Sequence, residues 1–107
     1  MNYINLTPHT VVVEYGESET IHFEPSGSVA RVEMELKEVS TDGKIKIFRK
    51  EIKGVTGIPE PEPETRYIVS SMVFDATDRK DVVAPNTNNA TRNEKGFIIS
   101  VPGFITK

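Results

Sequence analysis

"VARVEMELKEVSTDGKIKIFRKEIKG", residues 29–54, carries the clearest structural pattern in the chain. Over 29–39, Val32, Met34 and Leu36 fall on one side of an extended chain, and Arg31, Glu33, Glu35 and Lys37 fall on the other. A period of two with a charged outer side is the pattern of a half-solvated antiparallel strand. Asp42-Gly43 is a strong hairpin turn signal. Residues 44–54 then alternate back, with Ile45 and Ile47 apolar and Lys44 and Lys46 polar. The stretch predicts one long hairpin and sets the class of what surrounds it.

On the N-terminal side, "TVVVEY" (10–15) is β-branched and aromatic and reads as a strand. "ETIHFE" (19–24) alternates after the turn "GES" and predicts a second hairpin. "PSGS" (25–28) is turn chemistry. On the C-terminal side, "GIPEPEPET" (57–65) carries too much proline for a central strand or a helix and predicts an extended loop. "RYIVSSMVFDA" (66–76) begins as a buried strand, and Ser70 or Ser71 is placed to cap a short helix running through Phe74 to Thr77. "DVVAP" (81–85) is a short strand closed by proline, and "NTNNATRNEKG" (86–96) is a polar loop. "FIISVPGFI" (97–105) is a last buried strand, broken by Pro102-Gly103. The expectation is a single domain over 1–107, mainly β: an antiparallel sheet or partly open barrel of six or seven strands with one short helix.

Composition narrows the chemistry. A chain of 107 residues with 36% hydrophobic and 27% charged residues suits one globular domain. The net charge of −3 argues against a nucleic-acid partner. With no cysteine, disulfides, thiolate nucleophiles and zinc–sulfur sites are excluded. No apolar run approaches the ~20 residues that span a bilayer, so no membrane partner is expected and the chain reads as cytoplasmic. Phosphate-cradling, dinucleotide-binding, zinc-protease and nucleophile-elbow signatures are all missing. His9 and His22 are the only histidines, and as metal ligands they would need help from carboxylates such as Asp75, Asp78 or Asp81, which are distant in sequence. The reading therefore assigns no catalytic residue, no metal and no cofactor.

Two polar concentrations remain. The first is "NLTPH" (5–9), in which Asn5, Thr7 and His9 either build a turn into the first strand or line a pocket. The second runs from Arg79 and Asp81 through Asn86, Asn88 and Arg92. Amides and hydroxyls between two buried strands suit a hydroxyl-rich or heterocyclic ligand, and an arginine fork grips phosphate. The alternative for this segment is a solvated loop, with Arg79 and Asp81 paired to each other. Arg31, next to the "PSG" turn, is a further candidate, with a cross-strand ion pair as its plain alternative.

Taken in order, "NLTPH", "PSG" followed by Ala30-Arg31, "GIP" (57–59), "YIVS" (67–70) and "RKDVVAP" (79–85) make the chain resemble a family of small proteins often encoded by phages and prophages. The resemblance covers nearly the whole chain. It implies a bacterial cytoplasm during phage infection or lysogeny, and it makes the polar motifs candidates for one shared site. In that setting the expected function is small-molecule binding that sequesters a nucleotide-derived signal of host defence. Arg31, Arg79 and Arg92 would meet phosphates. Asn5, Thr7, His9, Asn86 and Asn88 would read ribose or base edges, and Tyr67 or Phe97 would stack a ring. Two other readings stay open: a structural or protein-interaction module, including a homo-oligomer built on exposed strand edges, and a small nucleotide-directed hydrolase or lyase using His9 with an aspartate.

Overall fold

A computed structural model describes residues 1–107. The fold is mainly β, as expected, but with ten strands in place of the expected six or seven, because short pairings such as β1 and β8 form where the sequence shows only polar or mixed residues: β1 (Asn2–Asn5), β2 (Val11–Tyr15), β3 (Glu19–Phe23), β4 (Arg31–Asp42), β5 (Ile45–Thr56), β6 (Thr65–Ile68), β7 (Val82–Pro85), β8 (Thr91–Arg92), β9 (Ile98–Ser100) and β10 (Phe104–Thr106). One α-helix, α1 (Ser71–Ala76), and a 3₁₀ turn at Thr87–Asn89 complete it. The central sheet has the order β1-β6-β7-β10, and three two-stranded sheets (β2-β3, β4-β5, β8-β9) surround it. None of the sheets closes into a barrel. The central sheet is mixed: β1-β6 and β6-β7 are parallel, and β7-β10 is antiparallel.

The parallel pair β6-β7 follows from the chain between its strands. Parallel neighbours need a crossover connection, and α1 supplies it. Ser70 starts the helix by accepting a hydrogen bond from the Val73 N–H at 3.3 Å. Alternation then gives the central sheet two apolar faces. Ile4, Tyr67 and Val82 share one face and pack with Leu6, Ala30, Val69 and Val73, under α1 and the root of β4-β5. Tyr3, Ile68 and Val83 share the other face and pack with Val11, Val13, Phe23, Val101 and Phe104, under the β2-β3 hairpin. The rings of Tyr3, Phe23 and Phe104 lie 5.4–5.7 Å apart, within the range of favourable aromatic contacts.

Gly57 shows why "GIP" needs its glycine. Its φ is +89°, and a Cβ there would lie 2.6 Å from the Val29 carbonyl oxygen. The turn and the segment entering β4 can pack together only if one of them lacks a side chain.

Three expectations change. The 29–54 hairpin forms, but its loop is Gly43-Lys44, with Asp42 paired to Ile45. Gly43 alone takes a positive φ (62°), the pattern of a type II′ turn with glycine first. Second, the hairpin is not half buried. From Glu33 to Lys50 every residue is exposed, so β4 and β5 form an arm that leaves the body. The radius of gyration is 16.9 Å, against roughly 13 Å for a compact chain of this size. Third, the segment expected as a last buried strand breaks at Pro102-Gly103 as expected, but its first half is exposed at Phe97, Ile98 and Ile99.

Candidate functional site

The parallel strands β1, β6 and β7 all end on one side of the central sheet. The carboxyl ends of parallel strands are where open mixed sheets form ligand crevices. The segment after β1 brings Thr7, His9 and Thr10, the segment after β6 brings Ser70 and Ser71, and β7 ends in Pro85 and leads to Thr87. Strand β9 closes the space from the side through Ile98, Ile99 and Ser100, held beside β2 by the Val101 N–H donating to the Val12 carbonyl at 2.9 Å. The result is a cleft of about 360 Å³, within the size range of small-molecule sites.

The first polar motif enters this cleft because Asn5 folds the chain there. Asn5 is 2% exposed. Its Nδ2 donates to the His9 carbonyl at 2.8 Å and the Phe23 carbonyl at 2.9 Å. Its Oδ1 accepts from the Thr7 N–H at 2.9 Å and the Thr7 hydroxyl at 2.7 Å. An asparagine closing on the N–H two residues ahead is an Asx turn. Here the same side chain also ties the turn to the end of β3. Every hydrogen-bonding site on Asn5 is used inside the protein, so it positions Thr7 and His9 and does not itself face a ligand.

The lining is rich in hydroxyls. Thr7, Thr10, Ser70, Ser71, Thr87 and Ser100 contribute six hydroxyl groups over a floor of Val11, Val12, Pro85, Ile98, Ile99 and Val101. Four of the six have partners. Thr7 bonds Asn5, Thr10 donates to Glu24 Oε2 at 2.8 Å, Ser70 caps α1 and Ser100 donates to Glu14. The side chains of His9, Ser71 and Thr87 form no hydrogen bond within the chain and can receive a guest. No carboxylate and no arginine lines the cleft. Just outside it, the Thr91 and Ser100 hydroxyls both donate to Glu14 and hold its carboxyl below the usual carboxylate range.

The other candidates lie elsewhere. Arg79 clasps Asp81 through two bonds, Nε–Oδ1 at 2.9 Å and Nη2–Oδ2 at 2.5 Å, and its Nη1 donates to the Pro59 carbonyl at 2.7 Å. Its guanidinium also lies 5.7 Å from the Tyr67 ring centroid. The pair staples the proline-rich loop to the start of β7, and the Asp81 bonds raise the guanidinium pKa further. Tyr67 is 1% exposed and donates its hydroxyl to the Glu60 carbonyl at 3.0 Å, so it is core and cannot stack a ligand. Burial pushes its phenol above the usual value. Arg31 is exposed at the root of the arm, in register with Thr56. Asn86 and Asn88 flank Thr87 without lining the cleft. Arg92 is the register partner of Ile98, one strand from the cleft wall, and spends only Nη1 on the Gly96 carbonyl at 2.8 Å.

Thus "NLTPH" and the "APNTNNATR" loop meet in one cleft through Thr7 and His9 on one side and Pro85 and Thr87 on the other. Sequence reasoning missed Thr10, Ser70, Ser71 and the β9 wall. Ser70-Ser71 reads in the sequence only as a helix cap, and nothing local to it shows that the strand it follows is parallel to its neighbours. No three His, Asp or Glu side chains gather to hold a metal ion, and no helix is long and apolar enough to cross a membrane. Comparison with protein-family models, curated proteins and solved structures gives no match.

Proposed function

We propose that the protein binds a nucleoside-like small molecule in this cleft and that, in the phage or prophage setting its motifs resemble, it sequesters a nucleotide-derived signal of host defence. The observation that carries this reading is the lining itself: an apolar floor for a ring, a hydroxyl rim for ribose and base edges, and His9, Ser71 and Thr87 uncommitted. Phosphates would project from the mouth towards Arg92, whose remaining N–H groups are free, and not towards Arg79 or Arg31. Sequestration needs only mass action, a dissociation constant well below the working concentration of the signal. Binding is favoured over hydrolysis or lysis because no Asp or Glu lines the cleft beside His9, so acid–base chemistry there would lack its second group.

The test is a thermal-shift and calorimetric screen with adenosine, AMP, ADP-ribose and cyclic dinucleotides, followed by denaturation and chromatography of what was bound. The proposal expects at least one probe to bind and to return intact. Return of a product favours the hydrolase or lyase. Failure of every probe, and no bound small molecule in protein taken from infected cells, refutes ligand binding.

A further inference from the structure

The arm points to a partner that the cleft does not involve. A two-stranded ribbon alone is marginal in water, and a stable sheet takes three or more strands or a packed face. Yet β4 and β5 run free from Glu33 to Lys50. Met34, Leu36, Phe48 and Ile52 share one side of the ribbon by register, and Val39, Ile45 and Ile47 stand nearer the tip. All seven are exposed, Leu36 at 63% and Ile45 at 67%. A contiguous exposed apolar patch of this kind marks an interaction surface.

The charges on the other face say what pairs with the free edge. Glu35 is in register with Glu51, and Lys37 is in register with Arg49. Like charges directly opposite destabilise a ribbon. Lys53 relieves the acidic row, lying 3.2 Å from Glu35 and 3.4 Å from Glu51. No carboxylate of the chain pairs with Lys37 or Arg49. An acidic row beside a basic row on one face is self-complementary under a two-fold axis.

We propose that the arm is an interface with a second copy of this chain, formed by antiparallel pairing of the two β4 edges about a two-fold axis at Leu36. Residues Met34 to Glu38 are the regular stretch between two bulges, at Glu33/Met34 and Glu38/Ser40, and Leu36 is its midpoint. Pairing there sets Leu36 beside the partner's Leu36 and Glu35 beside the partner's Lys37. The new sheet has four strands, with rows reading acidic, acidic, basic, basic across the joint. The tip lies about 20 Å beyond the axis at ~3.3 Å per residue. That carries the tip alongside the root of the partner's arm, so the two arms overlap over the regular stretch.

Sedimentation velocity and native mass spectrometry on the full chain test this. The wild type is expected to be a dimer at tens of micromolar. Glu35→Lys/Glu51→Lys makes both rows basic, and Lys37→Glu/Arg49→Glu makes both acidic. Each variant alone is expected to dimerise at least about tenfold more weakly, and an equimolar mixture is expected to recover a heterodimer. Leu36→Asp should give a monomer without altering the rows, and circular dichroism melts confirm that each variant is folded. A monomeric wild type overturns the proposal. So does a charge variant that self-associates like the wild type, or a mixture that does not recover.

Discussion

Replacing Asn5 by alanine should remove the fastening that shapes one wall of the cleft. The substitution deletes two donors and one acceptor from a site that is 2% exposed. The Phe23 carbonyl and the Thr7 N–H lose their side-chain partner, and the Thr7 hydroxyl keeps only the His9 carbonyl, at 3.0 Å. Each buried polar group left unpaired costs about 1–3 kcal/mol, so we expect a loss of about 3–5 kcal/mol in all. Domains of this size hold only about 5–15 kcal/mol. Urea unfolding should show the loss in its midpoint with little change in slope, and the melting temperature should fall by roughly 10–25 °C. Asn5→Asp is the control. It keeps the acceptor for Thr7 but turns a carboxylate towards two carbonyls, so it should cost at least as much as alanine. Thr7→Val, which leaves Asn5 in place, should cost about 1 kcal/mol. A loss below about 1 kcal/mol for Asn5→Ala would show that the turn holds without its side chain.

Arg79→Ala should destabilise by about 2–3 kcal/mol, since three charge-assisted bonds are lost and Asp81 is left unpaired; chemical denaturation measures this, and ligand affinity of the folded variant should be unchanged. Gly57→Ala combines a positive φ with a clash against backbone and should cost about 2–4 kcal/mol, visible as a lowered melting temperature. Glu14 has a folded pKa below its ordinary 4.5 because of the Ser100 and Thr91 hydroxyls. The unfolded state therefore binds its proton first as pH falls. The stability it contributes is present above about pH 4.5 and is lost on acidification through the folded value. Melting temperatures measured from about pH 6 down to about pH 3 should fall less steeply in Glu14→Gln than in the wild type.

The long hairpin was legible because alternation over 29–54 reports strand geometry directly. What alternation cannot report is whether the apolar side meets a core. Met34 and Leu36 look inward in the sequence and stand in solvent in the folded chain. The Ser70 cap and the turn chemistry were legible because they act between residues a few positions apart. The parallel core was not, since short apolar runs such as "YIV" and "VVA" fit either direction and α1 is too brief to announce a crossover. Within the candidate site, Thr7 and His9 could be named because they crowd one turn. Arg79 shows both sides of the limit: its pairing with Asp81 is the plain alternative that two neighbouring opposite charges offer, whereas charge pattern alone does not show the Pro59 carbonyl, twenty residues away, that takes its third bond.

A small molecule held at the carboxyl ends of β1, β6 and β7 perturbs the amides around it, and chemical-shift mapping of ¹⁵N-labelled protein, titrated with the probe that binds in the screen, locates it. Binding in the cleft gives shifts at Thr7–Val12, Ser70-Ser71, Thr87 and Ile98–Val101, with the β4-β5 arm unmoved. Shifts confined to the arm or to the Arg79–Asp81 staple, with the cleft silent, would overturn the proposed site.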